Sequence, residues 1–176
     1  MIDATKDIFI FDREETLVDI GAFCLMPNHF HLLLREKESG NVSLFMKKLL
    51  TAYVMYFNKK HERTGSLFEG KFKSEHAGTD NYLKYLFSYI HLNPIKIIEP
   101  KWRIEGIKDK LKAQKYALNY EYSSYAFLGD GNRKWGKIIH TKNFPKYFSR
   151  ATQYQRELFE WLGNSPRSFL GEVKLL

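Results

Sequence analysis

The chain has 176 residues, 44% of them hydrophobic and 16% aromatic, which is enough for one domain with a real core and too apolar for disorder. Its apolar runs are short and broken by charges, which argues against a membrane span, and the N-terminus lacks the basic start and apolar stretch of a secretory signal. Cys24 is the single cysteine, so no intrachain disulfide can form, as expected of a protein working in the reducing cytoplasm.

The net charge is +8, and its placement is uneven. Residues 1–100 hold 13 Lys+Arg against 13 Asp+Glu, whereas residues 101–176 hold 15 against 7. A basic C-terminal region favours a polyanionic partner, most often nucleic acid, although such charge also serves plain solubility.

In chain order, "DIFIFD" (7–12) reads as a short strand. "DIGAFCLMP" (19–27) reads as a strand ended by Pro27, and "HFHLLLRE" (29–36) as its continuation or its partner. "SLFMKKLLTAYVMYFNKK" (43–60) has helical spacing with Ser43 as N-cap. "ERTGSLFEGKFKSEHA" (62–77) has two glycines among alternating residues and predicts a hairpin or bulged strand. "TDNYLKYLFSYIHLNP" (79–94) predicts a helix capped by Thr79 and stopped by Pro94. A Lys-rich helix (105–115), the aromatic "YEYSSYAFLGD" (120–130) and an amphipathic segment near 151–163 follow. Strands and helices without a βαβ rhythm predict an α+β fold with an antiparallel sheet.

Within "LMPNHFHLLL" (25–34), His29 and His31 lie two apart. In a strand they share a face, while Phe30 and Leu32 turn the other way into the core. Two adjacent imidazoles are a natural pair of metal ligands; the alternative is two polar residues on a solvated strand face. On that open face either histidine is expected to be replaceable at little cost to the fold. Tyr89 and Asn93, four apart on the second predicted helix, share a face about 6 Å apart along its axis. A carboxamide oxygen suits Mg2+ or Mn2+, and a tyrosine one turn away is a candidate nucleophile. The competing reading makes Tyr82, Tyr85 and Tyr89 an aromatic stripe packed on the sheet.

"AFCLMPNHFHLLL", "GSLFEGKFK" and "YLKYLFSYIHLNP", with "YEYSSY" after them, strongly resemble the single-tyrosine HUH transposases, comprising insertion-sequence transposases and REP-associated tyrosine transposases. The resemblance covers roughly residues 8–128, and its motifs occur in the family's order. It implies a ferredoxin-like antiparallel sheet with helices packed on one face. It implies His29, His31 and Asn93 as ligands of Mg2+ or Mn2+, and Tyr89 as the nucleophile. The implied activity is metal-dependent cleavage and rejoining of single-stranded or hairpin DNA through a 5′-phosphotyrosine. A phenol ionises near pH 10 in the free state, so a neighbouring cation would assist it. Aromatics interleaved with cations suit base stacking and phosphate contact. Lys59, Lys60, Arg63, Lys71, Lys73, Lys101 and Arg103 are the candidate DNA-binding residues, with Phe68 and Phe72 serving either stacking or the core.

The sequence departs from the family at its start. Only 28 residues precede His29, too few for the strand, helix and strand that members place there. Either "DIFIFD" replaces the first strand or the N-terminus is shortened, which would expose a sheet edge beside the histidines. Residues 1–128 are read as the HUH-like domain and 129–176 as a basic extension packed on it. A non-catalytic nucleic-acid-binding descendant is the main alternative, and an unrelated metal-dependent hydrolase a weaker one. The sequence leaves open a homodimer, with Tyr89 acting in its own subunit or across it.

Overall fold

The computed structural model describes residues 13–129, 134–145 and 157–158. The expected strand at 7–12 and most of the segment 151–163 lie outside them. Two strands, β1 (Val18–Leu25) and β2 (Phe30–Glu36), form an antiparallel hairpin. Six helices follow among the described residues: α1 (Asn41–Lys60), α2 (Asp80–Leu92), α3 (Ile95–Ile98), α4 (Trp102–Glu105), α5 (Lys110–Asn119) and α6 (Tyr125–Gly129). The fold is α+β, and its described sheet has these two strands. No described helix is long and apolar enough to cross a membrane.

The hairpin is closed by the Met26 N–H donating to the His29 carbonyl at 2.8 Å, with Pro27 and Asn28 at its tip. The pairing sets Cys24 opposite His31 and Leu25 opposite Phe30. Residues 29–36 are therefore β1's partner and not its continuation. The register slips between Ile20 and Ala22, so Gly21 is the bulged residue. Its missing side chain makes room for a ring: a Cβ on Gly21 would lie 2.7 Å from Phe144 Cζ. Phe144 in turn meets Phe87 of α2 edge to face at 5.8 Å.

The far edge of β1 is covered by later chain. Leu25 N–H donates to Tyr122 O at 2.8 Å, Ser124 N–H to Phe23 O at 2.9 Å, and His140 N–H to Ile20 O at 2.9 Å. The edge beside the histidine hairpin expected to be exposed is thus partly paired by residues 122–124 and 140.

Three local expectations are corrected. Residues 61–79 form an irregular loop rather than a hairpin or strand: Gly65 and Glu62 have positive φ, and Asn58 Nδ2 bonds the Gly65 carbonyl at 2.9 Å, curling the chain back on α1. Helix α1 begins after Gly40, which takes the left-handed conformation at φ 85° that glycine tolerates, so Ser43 lies inside the helix. Helix α2 ends at Leu92, ahead of Pro94 as expected, although Asn93 and Pro94 keep right-handed helical angles and the chain re-enters a helix as α3. The Lys-rich helix runs 110–119, later than expected, because the Asp109 side chain accepts from Lys112 N–H and caps it there. Thr79 does cap α2, accepting from Tyr82 N–H.

Helix α2 is buried from Tyr85 to Leu92, with Leu86 partly so, and so is hydrophobic-core helix all round. On one side Tyr85, Tyr89 and Ile90 pack on Ala22, Cys24 and Leu33 of the hairpin. On the other, Leu92 joins Ile95, Trp102, Ala113, Ala117, Tyr125 and Leu158. A buried polar link crosses between them: the Ser124 hydroxyl accepts from Phe23 N–H at 2.8 Å and meets His91 Nε2 at 2.7 Å.

Two stability effects follow. Gly21→Ala should lower stability by about 1–3 kcal/mol through overpacking against Phe144, measured by denaturant unfolding; Gly21→Ala with Phe144→Leu should recover part of it. Burial pushes His91 down to about 3, so the folded protein refuses a proton that the unfolded chain accepts near pH 6.5. Its contribution is full above that pH and is lost as pH falls toward 3, by about 2 kcal/mol at pH 5. His91→Gln should be less stable at pH 7 yet show a shallower fall of stability between pH 6.5 and 4.5.

Candidate active site

The hairpin tip and α2 build the site. Asn28 Oδ1 lies 2.7 Å from His29 Nδ1 and orients that ring. The His29 and His31 rings meet edge to face with centroids 5.0 Å apart. His31 points the same way as Leu33, two residues on, and Leu33 is in the core. Phe30 and Leu32, expected to point into the core, are half-buried. The histidine side is therefore the core side, and the expected open face is corrected: α2 lies across it. His31 is half-buried, with its Nε2 sealed from solvent and without a hydrogen-bond partner.

What covers His31 is Tyr89. Their rings meet edge to face at 5.3 Å. Tyr82, Tyr85 and Tyr89 stack along one helical stripe at 6.0 Å and 5.8 Å, as their i, i+3 and i+4 spacing requires. Tyr89 is 4% exposed, and its hydroxyl is buried with no partner. Asn93 is buried one turn on, its Nδ2 donating to the Tyr89 carbonyl at 3.1 Å. That bond uses the nitrogen and not the oxygen, which is the ligating end.

Two cations act on this cluster. The Arg103 guanidinium carbon lies 4.3 Å from the Tyr89 ring centroid, and Lys96 with Arg103 acts on both imidazoles. Burial first, then His29, Arg103 and Lys96, push His31 down to about 4. Burial, Lys96 and Arg103 also lower His29. Both rings are thereby held neutral at pH 7, the form that ligates metal. No group of three or more His, Cys, Asp and Glu side chains is assembled among the described residues. Two imidazoles and a carboxamide suit a divalent cation that keeps positions open for water and phosphate oxygens, and the orphaned His31 Nε2 fits such an occupant.

Of the other candidate DNA-binding residues, Lys101 caps α4 beside Arg103, and the rest lie on α1 and the 61–79 loop. Lys59 and Lys60 end α1, with Lys60 over the Tyr56 ring at 5.7 Å. Arg63 lies over Phe57 at 5.7 Å, and its Nη2 donates to Ser66 O. Lys71 and Lys73 are exposed on the 61–79 loop. Phe68 of that loop touches Tyr53 of α1 and Phe30 beside the histidines, joining this basic patch to the hairpin. Lys101 is paired with Glu105 at 3.5 Å. Sequence reasoning missed Lys96 and the His91–Ser124 link. Lys96 follows Tyr89 by seven positions and Asn93 by three, a single helical face because α3 continues the helical path past Pro94.

The family described as "Transposase IS200 like" matches residues 2–93, more than half of the chain. No curated protein and no solved structure gives a significant match. The matched span takes in the histidine pair, Tyr89 and Asn93, and the chain belongs to the IS200-like transposases.

Proposed function

We propose that the protein is a cytoplasmic, metal-dependent endonuclease and strand transferase acting on single-stranded or hairpin DNA, with Tyr89 as nucleophile. Family membership carries the coarse part, a transposase-like protein whose partner is DNA. The observation that best supports the finer part is the Tyr89 ring lying 5.3 Å from that of His31 with its hydroxyl unpartnered. Such a buried hydroxyl is costly unless something else uses it.

In this reading His29, His31 and Asn93 hold Mg2+ or Mn2+, which supplies charge neutralisation at a non-bridging oxygen of the scissile phosphate. The chain's own residues do the rest. The Asn28 contact and the sheet fix the imidazoles, and the Asn93–Tyr89 bond fixes the helix turn that carries the phenol. Tyr89 Oη forms a bond to phosphorus as the P–O3′ bond breaks; the phenol proton passes to water and the 3′-oxygen takes one up. The 5′-phosphotyrosine keeps the energy of the diester, so a second 3′-OH can reverse the step on another strand without a nucleotide cofactor. The basic residues on α1 and the 61–79 loop, with the excess charge after residue 100, guide the strand. Residues 129–176 are read as packed on this same domain, in keeping with the burial of Phe144 and Leu158. A homodimer, with cleavage in one subunit or across two, is compatible with this chemistry.

A second reading is favoured by one observation. Tyr89 is closed from solvent, as it would be in a descendant that binds nucleic acid without cutting it.

Tyr89→Phe deletes one hydroxyl and no packing. It should abolish covalent attachment of a labelled hairpin oligonucleotide in Mn2+, seen as a shifted band on a denaturing gel, whereas Tyr85→Phe should retain it. A wild-type protein that never forms the adduct supports the binding-only reading. For the metal pair, calorimetric titration with Mn2+ should show one site that is lost in both His29→Ala and His31→Ala. His31→Ala should also lower stability, because its ring packs under Tyr89, whereas His29→Ala should not. Unchanged Mn2+ binding in both variants would remove the ligand assignment.

A further inference from the structure

Arg103 has an unusual setting. Trp102, its neighbour, is buried in the cluster with Leu92 and Ile95 and anchors α4. The guanidinium therefore lies between two rings, 4.3 Å from the Tyr89 centroid and 5.6 Å from that of Trp102. Stacking accounts for its plane but not for its edge, because Nη2 is buried with no hydrogen-bond partner. The nearby carboxylates are engaged elsewhere. Glu105 pairs with Lys101 and Lys108 at 3.5 Å each, and Glu99 accepts the backbone N–H groups of Lys108 and Asp109. Arg103 Nη2, Tyr89 Oη and His31 Nε2 are thus three buried polar atoms without partners among the described residues, on residues in contact around one phenol ring.

We propose that Arg103 receives the scissile phosphodiester at Tyr89. Its face holds the phenol ring, and its in-plane N–H groups donate to the non-bridging phosphate oxygens. The inference rests on Tyr89 as nucleophile. Planar donors with no carboxylate on them match the geometry of a phosphate, which an ammonium does not. As the Oη–P bond forms and the P–O3′ bond breaks, negative charge concentrates on the non-bridging oxygens, where a fixed donor stabilises it most. In the phosphotyrosine the same N–H groups remain on the diester and hold it for the second strand. Among the seven cations read as DNA contacts, Arg103 is then the one that acts on the reacting group, while those of α1 and the 61–79 loop act on the strand.

The test uses the full-length protein and a labelled hairpin oligonucleotide in Mn2+. Arg103→Ala should slow adduct formation about 100-fold. Guanidinium chloride at millimolar concentration should restore it, whereas urea, of the same shape and uncharged, should not; rescue by urea to the same extent would mean packing alone and would overturn the proposal. Arg103→Lys, which keeps charge and most of the volume, should stay well below wild type, and a wild-type rate in either variant would also overturn it. A second measurement needs no cleavage. In EDTA, inorganic phosphate should raise the melting temperature of the wild type more than that of Arg103→Lys, and equal shifts would refute the phosphate contact. If Tyr89→Phe still forms the adduct, the nucleophile assignment falls, and the phosphate measurement still decides whether Arg103 binds the anion.

Discussion

The hydroxyl of Ser124 fixes α2 against the hairpin, and the site depends on that placement. It takes the Phe23 N–H and touches the His91 ring, so it couples β1 to α2 through groups that have no access to water. A buried polar link of this kind is costly when half satisfied and strongly orienting when complete. Its effect here is rotational. With His91 turned toward Ser124, the residue two positions earlier, Tyr89, is turned toward His31. Apolar burial alone would tolerate other rotations of a helix that is hydrophobic on nearly every side; the histidine selects one.

The electrostatics of the site follow from what is missing as much as from what is present. Lys96 and Arg103 help to hold two imidazoles neutral, and no acidic cluster is assembled among the described residues. A hydrolase that binds its metals through carboxylates would have the opposite field. Here the uncompensated charge is positive and the polar atoms without partners are donors or ligands. In the proposed function a phosphodiester would bring the anion, and a metal the acceptor for nitrogen lone pairs, that these groups lack.

The local grouping of the candidate residues was legible in the sequence because it is carried by short spacings. The two-residue step of His29 and His31 and the four-residue step of Tyr89 and Asn93 each define a face without knowledge of the fold. What was not legible is which face is covered. Period two says that His31 and Leu33 point together, but only the docking of α2 decides that this side is the core. The loop at 61–79 misled for the same reason: its alternation looks like a strand, yet no described strand pairs with it, and side-chain bonds such as Asn58 to Gly65 hold it as a loop. Contacts of high sequence separation, such as Gly21 with Phe144 and Phe23 with Ser124, leave no signal in spacing at all.

The family match ends at Asn93, but the physical site does not. Arg103 reaches back to Tyr89 from α4, and Ser124 sets the rotation of α2. Residues 122–124 and 140 occupy backbone positions along the edge of β1 that a two-stranded hairpin would leave open. A two-stranded sheet is marginal by itself, and unpaired edges invite other chains. The segments after residue 93 therefore supply edge pairing, the counterweight to α2, and the cation over the phenol. Cutting the chain at the end of the matched span would keep both histidines, Tyr89 and Asn93, yet remove the groups that bring them together.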